Sequence, residues 1–358
     1  MVYDYIIVGQ GLSGTVLGHT LIRSGNSVLI IDDVPEQSSS LICGGLFNPI
    51  TGKRLVKTWM ANEIFPFLNR FYSGLESALG EQFLWNLEIK VPIHTEERWK
   101  EAENRRQNDD YRNWMVLKEE QEKTINETIK GTMSFQPSGY VDVEKMILLS
   151  RKKWKAEGIL IEKSVDWNQV SCEGDVVYCL GFQAKKLICC EGYKAIFNPY
   201  FNWVPFAPVK GEILEITAEG LSDTNILKSK GVFVLPLGHK RYKIGATYVW
   251  DDLSETPTDA GKSEIMEKYA LAFSVKAKIQ NHRAGIRPAV KDRRPVIGNH
   301  PDFPLIGIFN GMGTKGVSLA PYFADKAVAF WNNGIPLDTK VNISRFENQF
   351  RTFQMRAD

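Results

Sequence analysis

Three glycines and one acidic residue near the start of the sequence have the spacing of a dinucleotide-binding turn. Gly9, Gly11 and Gly14 follow the apolar run 5–8 as G-x-G-x-x-G, and Asp32 ends a second apolar run. Such glycines allow a sharp turn, a close approach of the backbone to a pyrophosphate, and tight packing of the next helix. The acid can accept hydrogen bonds from both hydroxyls of an adenosine ribose. The alternative is an ordinary strand–helix–strand turn without a ligand.

A second strand, glycine turn and helix occur late in the sequence. In LIGIFNGMGTKG the glycines Gly311, Gly313 and Gly316 precede a predicted helix over 317–331. Backbone amides and a helix N-terminus at this turn would face an electron-rich group. A reduced isoalloxazine is such a group, because negative charge develops at its N1 and C2 carbonyl. Two turns of this kind predict FAD rather than a nicotinamide nucleotide, and the alternative is a second turn that serves only in packing.

The elements that must hold these turns follow from hydrophobic periodicity. The sequence predicts a helix from about Thr58 to Leu79, a helix that stops at Gly158, and strands from Val204 to about Ile244. We therefore expect an α/β fold, α+β overall, in which a Rossmann-like FAD-binding domain carries an inserted mixed or antiparallel sheet that forms a substrate domain. The expected boundaries are 1–55, 140–200 and 281–358 for the FAD-binding domain, and 56–139 and 201–280 for the substrate domain.

Composition restricts the class of protein. The chain has 44 basic and 42 acidic residues, a formal net charge of +2, and no apolar run as long as a membrane span. This charge does not by itself indicate nucleic-acid binding, and the basic run RKKWK from Arg151 is interpreted as a solvated helix face. Five cysteines without C-x-x-C spacing, and a strand from residue 3 that leaves no room for a signal peptide, favour the cytoplasm. The five histidines lack paired ligand spacing, so no metal is predicted.

Several motifs, in their order along nearly the whole chain, resemble those of a known superfamily. They are VGQGLSG with Asp32, PVKGEILEI, KIGATYVWDD, AGIRPAVKDRRPVIG and NGMGTKGVSLAP. The sequence is similar to the D-amino-acid oxidase superfamily, which includes glycine oxidase, sarcosine oxidase and D-amino-acid dehydrogenase. Within it, GGLFNPITGKR, KDRRPVIGNHPD and GMGTKGVSLAP look closest to the oxidase half of the bifunctional bacterial enzyme that trims carboxymethylaminomethyl uridine at the tRNA wobble position.

The resemblance implies FAD and a reaction at a carbon–nitrogen bond. A hydride would pass from Cα of an amine to flavin N5, the imine would hydrolyse, and oxygen or an electron carrier would reoxidise the ring. Members with covalent flavin attach it to a cysteine in the C-terminal part, whereas this chain has no cysteine after Cys190. Non-covalent FAD is therefore expected.

The resemblance also implies where the cofactor lies. Gly44, Gly45 and Leu46 match the family segment beside the isoalloxazine, and Gly192 matches a small residue where the returning strand meets the cofactor. Val165, interpreted as the end of the strand GILIEKSV, matches a valine set against adenine, with plain core packing as the alternative. The expected cofactor-binding residues are Gly9, Gly11, Leu12, Ser13, Gly14, Asp32, Asp33, Gly44, Gly45, Leu46, Val165, Gly192, Arg287, Gly311, Gly313, Thr314, Lys315, Gly316 and Val317.

Arg287, in AGIRP, matches the arginine with which family members pair a substrate carboxylate. A planar guanidinium can hold a carboxylate through two parallel hydrogen bonds and so orient the substrate's Cα against the flavin. The alternative is a structural or surface arginine beside Pro288.

Two positions depart from glycine oxidase. Phe233 stands where glycine oxidase has a tyrosine, and Thr314 stands where it has an arginine, with Lys315 beside it. Tyr242 or Tyr248 could supply the missing phenol, although an aromatic residue on a strand often serves packing. The expected catalytic residues are Arg287, Tyr248 and Lys315.

Three functions stay open from the sequence. The first is an FAD-dependent oxidase or dehydrogenase of a carboxylate-bearing primary or secondary amine, with a small-molecule substrate and with oxygen or an electron carrier as acceptor. The second is a tRNA wobble-uridine side-chain oxidase, which would need a basic face around the pocket mouth. The third is a flavin-binding protein without turnover. Candidates for the basic face are Lys53, Arg54, Lys57, Arg293 and Arg294.

Overall fold

Strands and helices alternate from the first residues, as the hydrophobic runs predict. The computed structural model describes residues 1–33, 38–52 and 54–357. Its strands are β1 (Val2–Val8), β2 (Val28–Asp32), β3 (Leu46–Phe47), β4 (Ile50–Thr51), β5 (Val56–Lys57), β6 (Leu84–Trp85), β7 (Glu88–Ile93), β8 (Met115–Lys118), β9 (Gly131–Phe135), β10 (Gly139–Val141), β11 (Leu160–Glu162), β12 (Ser171–Glu173), β13 (Val176–Cys179), β14 (Phe182–Cys189), β15 (Val209–Ala218), β16 (Asn225–Ser229), β17 (Val232–Pro236), β18 (Arg241–Gly245), β19 (Ala277–Arg287), β20 (Val296–Asn299) and β21 (Ile306–Asn310).

The helices complete the inventory of the described residues. The α-helices are α1 (Leu12–Arg23), α2 (Ser39–Ile42), α3 (Ala61–Leu79), α4 (Glu96–Gln107), α5 (Asp109–Arg112), α6 (Val143–Ala156), α7 (Asp259–Ala272), α8 (Gly316–Asn333) and α9 (Glu347–Ala357). Short 3-10 helices cover Trp167–Gln169, Gly192–Phe197, Gly313–Lys315 and Ile343–Phe346. None of the helices in this described part of the chain is both long and apolar enough to cross a membrane.

The first sheet contains the strand that precedes each glycine turn. Its strand order is β11-β2-β1-β14-β13-β12, and β21 pairs in parallel with the last residues of β14. β1 lies between β2 and β14 and is parallel to both. All five residues of β2 are buried, as expected for a parallel strand covered on both faces. These pairings confirm the predicted Rossmann-like α/β sheet.

Four helices form one buried layer against this sheet. Helices α1, α3, α6 and α8 share a hydrophobic core that includes Leu17 of α1, Phe65 of α3, Trp154 of α6 and Phe323 of α8. The phenol of Tyr72 in α3 donates to the backbone oxygen of Val317, at a distance of 3.0 Å. Helices α1 and α8, which follow the two glycine turns, therefore belong to one packed core, and α3 is bonded to the start of α8.

The second sheet has the order β19-β15-β18-β17-β16-β7-β9-β8, with only β16 and β7 parallel. This confirms the predicted mixed sheet. Its back face packs on α7, where Leu214 and Ile244 meet Ile265 and Tyr269. Its front face meets α2 of the nucleotide-binding part, because a β-carbon built at Gly285 would lie 2.7 Å from Ile42 Cδ1.

The limits of several elements differ from the sequence expectation. The predicted strand that ended at Val165 stops at Glu162, which pairs with Asp32 at the end of β2. Asp32 is the last residue of β2, so the described pairs of β11 end there. The predicted domain boundaries stay a prediction, and β19 runs across the one at residue 281.

Candidate functional site

The first glycine turn is packed so closely that two of its positions exclude any side chain. Gly9 has a φ of +99°, and a β-carbon built there would lie 2.7 Å from the backbone oxygen of Cys190. A β-carbon at Gly14 would overlap the backbone oxygen of Gly9. Gly11 is the N-cap of α1 and has an extended conformation. The sharp turn at Gly9 and the close helix packing at Gly14 are thus as the sequence indicated, and the approach of a pyrophosphate to Gly11 stays a prediction.

Ser40 is a residue at this turn that sequence reasoning missed. It lies in α2, and its Oγ accepts a hydrogen bond of 3.0 Å from the backbone nitrogen of Leu12. Leu12 and Ser13 begin α1, whose first amide groups have no partner within the helix. A phosphate oxygen would accept from the same amides, so Ser40 is a candidate contact of a cofactor pyrophosphate. The run SSS at 38–40, which provides the N-cap and first residues of α2, was the available signal.

Asp32 ends β2, and both of its carboxylate oxygens are engaged. Oδ1 accepts from the backbone nitrogen of Gln10 at 2.8 Å, and Oδ2 accepts from Arg151 Nη1 at 2.7 Å. The Arg151 side chain is only 13% exposed and also bonds Glu162. The interpretation of RKKWK as a solvated face is therefore wrong for Arg151, because two carboxylates hold its guanidinium over the end of the sheet.

One donor of Arg151 is left over beside Asp32. Its Nη2 is buried and has no hydrogen-bond partner among the described residues. Buried donors normally have a partner, since an unpaired one keeps its desolvation cost. Nη2 could be satisfied by a ribose or adenine acceptor, which fits the expected adenosine end of FAD.

The remaining residues predicted near the adenosine end of FAD are Asp33, Val165 and Gly192, and they are less closely grouped. Asp33 is exposed and pairs with Lys194 at 2.7 Å. Val165 is partly buried against the core on the far face of the first sheet. The backbone oxygen of Gly192 accepts from Asn310 Nδ2 at 2.8 Å, which ties the end of β14 to β21. Next to it, burial raises the pKa of the Glu191 carboxyl to about 7, despite a hydrogen bond from Asn198.

The two glycine turns touch each other. Gly316 begins α8, and a β-carbon there would lie 2.8 Å from Leu12 Cδ2 at the start of α1. On its other side the second turn meets the segment after β19, because the Gly313 nitrogen donates to the Pro288 oxygen at 3.2 Å. Gly311, with a φ of +75°, and Thr314 complete this turn. One cofactor could therefore contact both turns and the end of β19.

The segment with Gly44 and Gly45 reaches the front face of the second sheet. A β-carbon at Gly45 would overlap the Val141 oxygen, and one at Gly44 would lie 3.0 Å from Phe233 Cζ. Leu46 follows in β3 and is partly buried. The structure thus brings the predicted isoalloxazine segment against β17.

Arg287 lies at the end of β19, with its guanidinium over Gly211 of β15. Nη1 donates to the backbone oxygens of Lys210 at 3.3 Å and Thr247 at 3.2 Å. The centroid of the Tyr248 ring lies 4.4 Å from Arg287 Cζ. Burial lowers the pKa of Arg287, and no carboxylate pairs with it in the part of the chain that the structure describes. A partly buried guanidinium without a described counter-charge is a candidate site for a carboxylate.

The two candidate phenols face different ways. Tyr242 is 1% exposed in the core on the back face, where its hydroxyl donates to the Leu221 oxygen at 2.9 Å. Tyr248 lies beyond β18 with 58% of its surface exposed and its ring on Arg287. Only Tyr248 can therefore contact a ligand of Arg287.

Lys315 extends from the second glycine turn toward β4. Its Nζ donates to Thr58 Oγ1 at 3.1 Å and to Thr51 Oγ1 at 3.4 Å. Burial lowers its pKa, and repulsion by Arg294 adds to this shift. No three metal-ligating side chains are grouped anywhere in the described residues.

A family model described as FAD dependent oxidoreductase matches residues 4–330. The chain is 36% identical over 121 residues to the glycine oxidase of Bacillus subtilis (strain 168). That alignment covers 32% of this chain and 32% of the relative, so the chain spans about a third of the length of the curated relatives it matches.

Two solved structures show the same fold over nearly the whole chain. Glycine oxidase from Bacillus cereus ATCC 14579 superposes with a TM-score of 0.77 at 17% identity, covering 93% of this chain and 96% of that one. Iminodiacetate oxidase from Chelativorans sp. BNC1 superposes with a TM-score of 0.76 at 19% identity, covering 94% and 98%. At these identities the likeness is one of fold.

Proposed function

This chain belongs to the FAD dependent oxidoreductase family, and from that premise we propose that it oxidises the carbon–nitrogen bond of a carboxylate-bearing primary or secondary amine. The observation that carries this proposal is the Arg287 guanidinium, which is partly buried, unpaired by any described carboxylate, and next to the second glycine turn. Bound FAD supplies a hydride acceptor that oxygen or an electron carrier can reoxidise.

The residues of the chain orient the amine. Two backbone oxygens and the Tyr248 ring fix the Arg287 guanidinium, so its remaining N–H groups have set directions. A carboxylate bound there with two hydrogen bonds places its Cα at one position, which converts an encounter into an aligned complex.

Positive charge near the site also favours the reactive form of the amine. A hydride leaves Cα only when the nitrogen is unprotonated, and nearby cations disfavour a protonated amine. Lys315 extends from the second glycine turn and Arg287 lies beside that turn, so both would act in this way. The resulting imine takes up water and releases a carbonyl compound and an amine. A dedicated base is not needed.

Stopped-flow reduction of the bound flavin, without oxygen, tests the proposal. The panel is glycine, sarcosine, proline, D-amino acids and modified tRNA. With an active amine, Arg287→Met should lower the reduction rate at limiting substrate by about tenfold to several hundredfold, and Arg287→Lys by less. Exposed Arg241→Met is the control. Equal rates in all variants with full FAD content would remove Arg287 from the site.

The cofactor claim has its own test. We predict that acid denaturation releases FAD into the supernatant, because no cysteine follows Cys190. Colour that stays with the precipitated protein would contradict non-covalent binding.

The same panel of substrates also tests the two alternative functions. Reduction by modified tRNA but by no free amine would favour the tRNA-modification hypothesis, which stays a prediction. Of its basic candidates, Lys57 pairs with Asp110 at 3.7 Å, Arg294 stacks on Trp59 at 4.1 Å, and Lys53 lies outside the described residues. Reduction by nothing in the panel, and by no amine that carries a second carboxylate or a phosphate, would favour a flavin-binding protein without turnover.

A further inference from the structure

Lys228 of β16 lies on the same face of the second sheet as Arg287. It pairs directly with Phe233, Phe233 with Gly245, and Gly245 with Ile213 of β15. Directly opposite residues share a face, and so do residues two apart on a strand. Two such steps lead from Ile213 to Val209, the partner of Arg287. This is the face that Gly44 and α2 contact.

Lys228 differs from Arg283 and Lys243 on this face, because those two side chains lie close to a carboxylate. Arg283 bonds Glu144 at 3.1 Å, and Lys243 lies 4.0 Å from the same carboxylate. The Lys228 side chain is partly buried and forms no hydrogen bond or ion pair with any residue that the structure describes. Burial lowers its pKa to about 8, and repulsion by Lys315 adds to the shift. A buried cation without a counter-charge is costly unless an anion arrives to pair with it.

Further cations lie beside Lys228. Lys315 bonds Thr51 of β4, whose neighbour Ile50 packs on Ile93 of β7, the strand next to β16. At this position its charge repels Lys228, and Arg294 in turn repels Lys315. The hydrogen bonds of Lys315 go to two threonine hydroxyls, which leave its charge uncompensated. Two neighbouring ammonium groups that have no carboxylate partner among the described residues form a site that favours an anion.

The distance between the two cationic positions limits the size of the ligand. The Arg287 guanidinium lies over β15, and β18 and β17 separate β15 from β16. Three strand spacings amount to roughly 14 Å across the sheet, and the two residues from Gly211 to Ile213 add an offset of about 7 Å along the strands, so the two positions are roughly 16 Å apart. The length of the lysine side chain closes part of this gap.

We infer that Lys228 and Lys315 form a second anion subsite, so that the amine substrate carries a further carboxylate or a phosphate about 10 Å from the carboxylate at Arg287. This inference rests on the proposed function. It identifies the substrate class as a dianionic amine and disfavours a simple amino acid such as glycine.

Binding of dicarboxylates to the FAD-loaded protein tests the subsite without turnover. The probes are α,ω-dicarboxylates from succinate to sebacate, whose carboxylates at most are about 10 Å apart, and the monomethyl ester of each. Dissociation constants come from changes in flavin absorption. The longer dicarboxylates should bind about tenfold to a hundredfold more tightly than their monoesters, since a charge-assisted contact is gained.

Matched variants assign this advantage to one side chain. Lys228→Met should abolish it and Lys228→Arg should keep it. Lys230→Met, in the adjoining hairpin turn where Lys230 pairs with Glu127, should also keep it. FAD content verifies that each variant is folded. A dicarboxylate advantage that survives Lys228→Met, or its absence from the wild-type protein, would overturn the inference.

Two further arms complete the design. Replacing the far carboxylate by a phosphonate distinguishes a phosphate-bearing substrate, which should then bind more tightly than the dicarboxylate. Failure of the proposed function would look different, because no amine would reduce the flavin while the Lys228-dependent advantage persisted.

Discussion

The first glycine turn and the front face of the second sheet prepare for their ligands in opposite ways. At the turn, Gly9 and Gly14 bring backbone against backbone, and the available donors are amides at the start of α1. On the sheet face, Arg287 and Lys228 come from strands far apart in sequence, and the donors are charged side chains. A backbone site depends on local spacing, whereas a side-chain site depends on strand register.

The largest effect should come from filling the turn. We expect Gly14→Ala to abolish FAD binding, because its methyl group would overlap the Gly9 oxygen and force the turn open. FAD content after gel filtration is the measurement. Gly74→Ala in α3 is the control, since a β-carbon there meets nothing within 4 Å. Stoichiometric FAD in a folded Gly14→Ala variant would show that the turn does not need its close packing.

Gly211 lets us test whether the sheet face also relies on a glycine. A β-carbon there would overlap the Arg287 guanidinium, so Gly211→Ala should displace that side chain and leave the first turn intact. We expect flavin reduction at limiting substrate to fall by about tenfold to a hundredfold, with FAD content unchanged. The double variant with Arg287→Met should be no slower than Arg287→Met alone. An additive loss would mean that Gly211 acts elsewhere.

Substitutions of Tyr248 should have the smallest effect on flavin reduction. Two variants distinguish the contribution of its ring from that of its hydroxyl. The ring contacts Arg287 at 4.4 Å in an exposed setting, where a cation–π contact contributes about 0.5 to 1 kcal/mol. Tyr248→Leu should therefore lower the reduction rate at limiting substrate by about two- to fivefold, and Tyr248→Phe should leave it unchanged. A large loss in Tyr248→Phe would instead give the hydroxyl a catalytic role.

The sequence predicted the nucleotide-binding part well, because its signals are local. The G-x-G-x-x-G turn, the next helix and Asp32 lie within one short segment, so their order and spacing along the chain are enough to predict them together. Arg151 was misinterpreted, since its pairing with Asp32 joins a helix and a strand that are distant in sequence.

The substrate side was harder to predict for the same reason. Which way Tyr242 and Tyr248 face depends on where β18 ends, at Gly245, and one glycine within an apolar run does not by itself predict the end of a strand. Lys228 carried no signal, because its position beside the site follows from the pairing of β16 with β17. The cofactor assignments and the substrate assignments both stay predictions until the variants are measured.

The arrangement of the first sheet has a consequence for synthesis on the ribosome. β1 is made first, yet β21 and α8, which complete the sheet and its helix layer, are made some 300 residues later. Until then the first glycine turn lacks the start of α8 that packs on Leu12. Pairings between such distant segments fold slowly and leave apolar surface exposed meanwhile. The nascent chain therefore cannot capture FAD at a finished site, and chaperone demand should fall once FAD binds.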